Sequence, residues 1–422
     1  MTQDAILATY LLETPHSVER AVEALAGEGS TGTFVAVPGE TAEIKERFRT
    51  RLHSVRELPS TDQASFPQPP NLQSTKYERA EITVAVPMEM AGSDLSTLMA
   101  SILGNIFELK ELSGLRLLDF DVPADFVKRC LLPQFGIEGT RKLANVHGRP
   151  LIGTIIKPSV GLSPEQTADM VRELAEAGID FIKDDELMTS PVYSPLAKRV
   201  EAIMRVINDH ADKTGKRVMY AFNISGDDID TMLRNHDLVL NAGGTCIMLS
   251  VNHVGFAGAM YVRRHSQLPI HGHRNGWGIF TRAPMLGMEF TAYQKLWRLA
   301  GIDHLHVNGI RNKFWEPDES VVRSVKACLT PLVSDADRLF PVLSSGQWGG
   351  QAPDTYRLTQ TVDVMYLAGG GIQGHPGGAG AGVRAIQQAW EAAVSGVSLD
   401  DYAAEHIELR QSIAMFDKRG KA

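Results

Sequence analysis

From Gly153 onward, short β-branched and apolar runs alternate with longer stretches whose apolar positions recur at helical spacing. The strand-like runs are Gly153 to Ser159, Asp180 to Glu186, Arg217 to Ser225, Thr245 to Asn252, Leu268 to Asn275, His304 to Gly309, Phe340 to Gly346 and Val362 to Gly370. A helical pattern follows each. After the first run, SPEQTADMVRELAEAG pairs Ser163 with Gln166 as a capping box and offers Gly178 as its stop. Eight strand-helix units in this length predict a closed (β/α)8 TIM-type barrel.

The region ahead of the barrel reads differently. Strand-like AILATYLL and RAEITVAVP flank the helical pattern SVERAVEALAGEG, which predicts an α+β cap of ferredoxin-like type over 1–131, with the barrel and a helical tail over 132–422. Pro59 to Thr75 reads as a loop within the cap, and the chain after Ser395 as helix with a polar face.

A chain of 422 residues with 43% apolar content has material for one large core and a smaller one. Its 42 basic and 50 acidic residues give a formal charge of −8 without long basic runs, which argues against nucleic acid as a partner. Cys130, Cys246 and Cys328 match neither a disulfide framework nor a zinc ribbon, so buried inert thiols in a reducing cytoplasm are expected. The N-terminus lacks the basic start and apolar core of a signal peptide, and no window has the roughly 20 apolar residues of a membrane helix.

In such a barrel the reacting groups stand at the C-terminal strand ends, and most of the predicted strands end in polar residues. The most informative segment is FIKDDE. Alternation puts Lys183 and Asp185 on one face, and Glu186 joins them only where the strand is already turning. Two carboxylates suit a hard cation such as Mg²⁺. An ammonium does not, whereas a neutral lysine amine that captures CO₂ becomes a carbamate with an anionic oxygen. The plainer alternative is a Lys183–Asp185 ion pair. His271 and His273 would both face inward on a regular strand, with Arg274 following where it ends. The stretch LAGGGIQGHPGGAG, together with Ser344 to Gly346 on the preceding strand, fits a phosphate cradle after strands seven and eight, although ordinary glycine turns would read the same way. VNGIRNKFWEPDES after strand six carries Lys313 in a loop long enough to fold over a ligand, with Gly309 as a candidate hinge.

Taken together, GTIIKPSVGLS, DFIKDDE, HGHRNGWG, HVNGIRNK and AGGGIQGHPGG resemble the barrel motifs of the RuBisCO family in order and position, and STGTF and SILGNIFELKELSGLRLLDFDVP resemble its cap. The resemblance covers almost the whole chain. It implies that Lys183 is a carbamylated Mg²⁺ ligand beside Asp185 and Glu186, that Lys157 handles protons, and that His273 lies near the reacting oxygens. It assigns Arg274, His306 and Ser344 to one phosphate, and Thr33, Gly346, Gly369 and Gly370 to another. Lys313 matches the mobile-loop lysine. Glu28 and Asn105 match cap residues that reach the neighbouring subunit's site, which implies a homodimer with the active site at the subunit interface, or a larger assembly built on it.

The departures point away from carboxylation. Ser159 stands where the carboxylases have a second lysine, Ile155 replaces a threonine, Phe34 a tryptophan and Trp277 a histidine, and Asn312, Lys313, Phe314 and Trp315 rebuild the mobile loop. These changes resemble the RuBisCO-like group. The expected activity is therefore Mg²⁺-assisted enolate formation from a phosphorylated sugar-derived substrate, foremost decarboxylation of 3-oxo-isoapionate 4-phosphate. Enolase or isomerase chemistry on a methylthio sugar phosphate of methionine salvage, ribulose-bisphosphate carboxylation, and non-catalytic binding of a phosphate ligand are the alternatives.

Overall fold

The computed structural model describes residues 5–32, 35, 37–92 and 94–417. It divides into two compact units, Met1–Cys130 with Gly276–Leu299, and Leu131–Asn275 with Ala300–Ala422.

In the first unit, β1 (Ala5–Thr14), β2 (Arg51–Thr61), β3 (Tyr77–Pro87) and β4 (Gly114–Asp121) form a sheet of order β4-β1-β3-β2, with antiparallel neighbours. Helices lie between β1 and β2 (Val18–Glu28) and between β3 and β4 (Leu95–Leu103), giving the βαββαβ order of a ferredoxin-like fold. Register follows the hydrophobic alternation. Ile6, Ala8, Tyr10 and Leu12 stand opposite Val86, Val84, Ile82 and Ala80, all buried on one face. Val18, Ala21, Val22 and Leu25 form the buried stripe of the first helix. Edge strand β2 is mostly exposed, so its polar pattern conceals it, and the expected Pro59 to Thr75 loop begins only after Thr61. A fifth strand, β10 (Leu286–Met288), comes from much later in the chain and pairs in parallel with β4.

In the second unit, β5 (Leu151–Ile155), β6 (Phe181–Lys183), β7 (Met219–Asn223), β8 (Cys246–Ser250), β9 (Ile270–His273), β11 (His304–His306), β12 (Phe340–Leu343) and β13 (Met365–Leu367) close into the predicted parallel barrel. All but β5 lie inside their predicted runs, β5 beginning two residues ahead of its run at Leu151, and each is shorter than predicted because the polar residues at the run's C-terminal end already belong to loops. Apolar side chains such as Leu151, Phe181, Met219, Met248, Phe340 and Met365 fill the interior. At Gly153 a β-carbon would stand 2.4 Å from Leu367 Cδ2 and 2.6 Å from the Phe181 carbonyl oxygen, so glycine lets the strands close there. The first barrel helix, Pro164–Glu176, has the capping box of Ser163 and Gln166, and Gly178 follows it at φ 82°. The tail forms helices Leu399–Glu405 and Ile407–Phe416. Cys246 and Cys328 are buried, and burial pushes the Cys130 thiol up to about 11, as inert thiols require. No helix among the described residues is long and apolar enough to cross a membrane.

Buried aspartates pin the N-terminal end of the barrel. Asp180 accepts from Arg149 at 2.6 and 2.9 Å, Lys216 at 2.8 Å and the Ile152 N–H at 2.9 Å. Burial pushes its carboxyl up, but Arg149 and Lys216 more than offset this and leave it below the usual carboxylate range. Asp180→Ala is expected to cost about 3 kcal/mol, since it strands the buried Ile152 N–H while the two cations can still reach water. Because the folded carboxyl titrates lower than the unfolded one, this stabilisation is present above the unfolded value near ~4 and fades as pH falls through the folded value. Urea midpoints of the two proteins should therefore converge in acid. A gap that stays constant with pH would contradict this assignment.

Candidate active site

The opposite end of the barrel collects the groups expected to react. At the end of β6, Lys183 is buried and its Nζ donates to the Asp184 carbonyl oxygen at 2.7 Å. Burial lowers this amine to about 8 against the opposing pull of Glu186, Asp185 and Asp184. The expected alternative of a Lys183–Asp185 ion pair is not what the site contains. Asp185 is paired instead with Lys157 from the end of β5, whose Nζ donates to Asp185 Oδ2 at 2.8 Å and to Ser159 Oγ at 2.6 Å. Burial alone would raise the Asp185 carboxyl, but Lys157 prevails and holds it low. Since β6 ends at Lys183, the backbone is turning by Glu186, and this carboxylate joins the group with Oε2 3.5 Å from His273 Nε2.

Asp184, the unassigned middle residue of the motif, points elsewhere. Its buried carboxylate accepts from Arg199, the Tyr220 hydroxyl and the Asn223 N–H, fixing the strand from behind. Alternation along the strand was the signal for this reversal. Asn223 Nδ2 in turn donates to the carbonyls of Asp185 and Glu186, both at 3.3 Å.

The histidines form a connected set. His271 Nε2 and His306 Nε2 lie 2.9 Å apart, so one donates and the other accepts, and His306 Nδ1 meets Ser344 Oγ at 2.9 Å. The rings of His273 and His306 are 4.5 Å apart. Burial, reinforced by Lys183, lowers His273 to about 3, and His271 and His306 are lowered as well, so all three are neutral imidazoles near pH 7. With β9 ending at His273, Arg274 turns to pair with buried Glu316 at 2.9 Å. Glu316 also accepts from Asn308 and from Ser320 Oγ, joining both ends of the strand-six loop. Sequence reading missed Glu316, because its partner Arg274 lies 42 residues away.

Around the remaining rim, Lys313 is exposed. Its backbone N–H donates to the Ser345 carbonyl, and its Nζ lies 5.2 Å from the Phe314 ring centroid. Gly346 has φ 84° and packs beside Lys313. A β-carbon on Gly309, the expected hinge, would collide with the Gln347 amide, so glycine permits close packing at this position. Gly369 faces the Lys157 stem, and Gly370 opens the short helix Gly370–Gln373. In the first unit, Asn105 Nδ2 donates to Glu28 Oε1 at 3.4 Å, which brings those two cap residues together. Thr33 and Phe34 lie outside the described residues.

Another set of potential ligands, His236, Asp237 and His265, lies towards the barrel's other end, where helix Val251–His265 leads into β9. The Gln267 N–H donates to His236 Nε2 at 3.2 Å, which puts that ring's proton on Nδ1, facing Asp237 Oδ1 at 2.9 Å. His265 Nε2 is 2.7 Å from the same oxygen. The lone pair a metal would need on His236 Nδ1 is thus replaced by a hydrogen bond.

The β6 end suits Mg²⁺ better. Its donors are carboxylate oxygens, Asp185 Oδ2 already faces a cationic group, and Lys183 holds a weakened amine beside them.

Residues 1–126 match the family described as ribulose bisphosphate carboxylase large chain, N-terminal domain, and residues 136–416 match the catalytic domain of the same chain. A protein of Rhizobium etli named 3-oxo-isoapionate-4-phosphate decarboxylase is 52% identical over 97% of this chain and 98% of its own. A Xanthobacter autotrophicus protein named 3-oxo-isoapionate-4-phosphate transcarboxylase/hydrolase is 50% identical over 98% of this chain and 99% of its own. The crystal structure of a rubisco-like protein from Burkholderia fungorum superposes with a TM-score of 0.92 at 42% identity, covering 98% of this chain and all of that one. With both regions of the family matched and a rubisco-like structure superposing over nearly its whole length, the chain belongs to the ribulose bisphosphate carboxylase large-chain family, on its RuBisCO-like branch.

Proposed function

We propose that the protein is a Mg²⁺-dependent lyase that decarboxylates a phosphorylated 3-oxo sugar acid, with 3-oxo-isoapionate 4-phosphate as its substrate. The observation that carries this reading is Lys157 standing over Asp185, with Glu186 and Lys183 beside it, in a chain half identical to enzymes named for that compound.

Lys183 as its carbamate, Asp185 and Glu186 would hold the metal. When bound, Mg²⁺ supplies positive charge where the substrate's ketone oxygen becomes negative. The chain's own residues do the rest. Neutral His273 donates a hydrogen bond at the oxygens without adding charge. Arg274, His306 and Ser344 offer one phosphate site, and the backbone at Gly346, Gly369 and Gly370 offers the other. The bond from the carboxyl carbon to C2 breaks, CO₂ leaves, and the electron pair remains over C2, C3 and the ketone oxygen. Lys157 then gives C2 a proton from Nζ. Lys313 closes over the phosphate from its loop.

The test is to incubate the protein with Mg²⁺ and bicarbonate, add 3-oxo-isoapionate 4-phosphate in D₂O, and follow the carbon resonances. CO₂ release with one deuterium entering C2 supports the decarboxylase. A carboxyl group passed to another molecule instead would favour the transcarboxylase named in the Xanthobacter relative. An unchanged substrate would reject both.

The active unit is proposed to be a homodimer in which Glu28 and Asn105 of one subunit complete the other's site. Leu187 and Val192, 65% and 97% exposed, follow the metal-site carboxylates on the same loop and offer an apolar surface for such an interface. Val192→Glu is expected to weaken dimerisation at least about tenfold, read by light scattering across a dilution series. An unchanged molar mass down to the lowest concentration would remove this loop from the interface.

A further inference from the structure

We propose that Ser159 is a positioning residue, holding the Lys157 ammonium at the reacting carbon when Asp185 is committed to the metal. The inference rests on the decarboxylase reading above.

Lys157 is anchored firmly at its backbone and loosely at its tip. Its N–H donates to Gln373 Oε1 at 3.0 Å, and Gln373 Nε2 donates to Thr154 Oγ1 at 2.9 Å and to the Ile155 carbonyl, so the end of β5 is fixed. The side chain is 39% exposed, and Gly369 lines its stem without gripping it. Two contacts hold the tip, Asp185 Oδ2 at 2.8 Å and Ser159 Oγ at 2.6 Å. A cation bound by Asp185 competes for the first and repels the ammonium. The second then remains, and it comes from an uncharged acceptor that a metal at the carboxylates does not displace.

The chemistry requires such an anchor. Once the carboxyl group has left as CO₂, its electron pair lies on the C2–C3–O unit until C2 takes a proton. One N–H of Lys157 supplies it and becomes a neutral amine, which regains a proton from water, so the step needs no other reactant. A misplacement of about 1 Å in such a transfer costs on the order of 100-fold. Because Ser159 accepts from Nζ, its own O–H stays available to donate to an anionic oxygen of the substrate, giving a second means of alignment. A lysine at this position, as the carboxylases have, would set a second ammonium beside the first and push it away.

Full-length Ser159→Ala, Ser159→Thr and Ser159→Lys proteins, loaded with Mg²⁺ and bicarbonate, test the assignment. For Ser159→Ala, kcat is expected to fall about 10- to 100-fold with KM within twofold, and the solvent isotope effect on kcat to rise as protonation becomes limiting. Ser159→Thr, which restores the hydroxyl, should recover most of the rate, and Ser159→Lys should not. A Ser159→Ala protein with unchanged kcat and isotope effect would overturn the proposal, as would a Thr variant as impaired as Ala. A readout independent of turnover comes from crystals of the Mg²⁺-loaded proteins without substrate. Lys157 Nζ should remain in hydrogen-bond reach of Ser159 Oγ in the wild type and leave that position in the alanine variant. A wild type that releases no CO₂ but shows this geometry would fail the decarboxylase reading alone. An Nζ away from Ser159 would fail the positioning role alone.

Discussion

Lys183→Ala protein is expected to lose at least about 10³-fold in kcat, because it removes the proposed carbamate ligand on which the charge of the proposed metal site depends. The amine is fully enclosed and is drawn down to about 8, so a useful fraction is neutral near physiological pH and able to add CO₂. As a carbamate it changes from a repelling cation to an anionic oxygen, turning a site of two carboxylates and an ammonium into one of three anions. Alanine cannot make that change. Mn²⁺ binding followed by electron paramagnetic resonance should weaken in parallel with activity, and prior incubation with bicarbonate, which should activate the wild type, should have no effect. Folding should survive, because the variant removes a buried amine whose charged form is disfavoured there. Wild-type turnover in this variant would sink both the carbamate and the metal site built on it.

Lys157→Met should lose about 10²- to 10⁴-fold in kcat, the usual contribution of a positioned proton donor, while doing the opposite to the metal. Methionine keeps the length of the stem and removes the ammonium, so Asp185 loses the cation that holds its Oδ2 at 2.8 Å. Mn²⁺ affinity should stay the same or rise. The pair of variants thus separates two lysines that stand within one small site, since one fails with its metal and the other fails with the metal in place. Full turnover by Lys157→Met would show that another group moves the proton, and reduced Mn²⁺ affinity would show that Lys157 supports the metal site.

Much of this site could be read before the fold was seen, and the reason is local. Barrel strands are short and carry their chemistry at one end, so motifs such as FIKDDE compress a strand, a turn and two facings into six residues. Alternation was enough to separate Lys183 and Asp185 from Asp184. Contacts made across the mouth between distant segments were not legible. Asp185 chose Lys157 over its neighbour Lys183, and Arg274 found Glu316, because closure of the barrel decides which strand ends meet. Strand β2 escaped for the opposite reason, since an exposed edge has no buried face to impose a pattern. The three residues of β10 are too few to carry a periodic signal, and their pairing with β4 spans some 170 positions.

That late pairing has a consequence for synthesis. Strand β4 ends at Asp121, and the strand that covers its outer edge begins at Leu286. At about 5–20 residues per second, a ribosome takes on the order of ten seconds to make the intervening chain. During that interval the nascent cap can assemble its other four strands but carries an open β4 edge, a template for pairing with any neighbouring nascent chain. The last rung of the first domain to be made thus waits for most of the second.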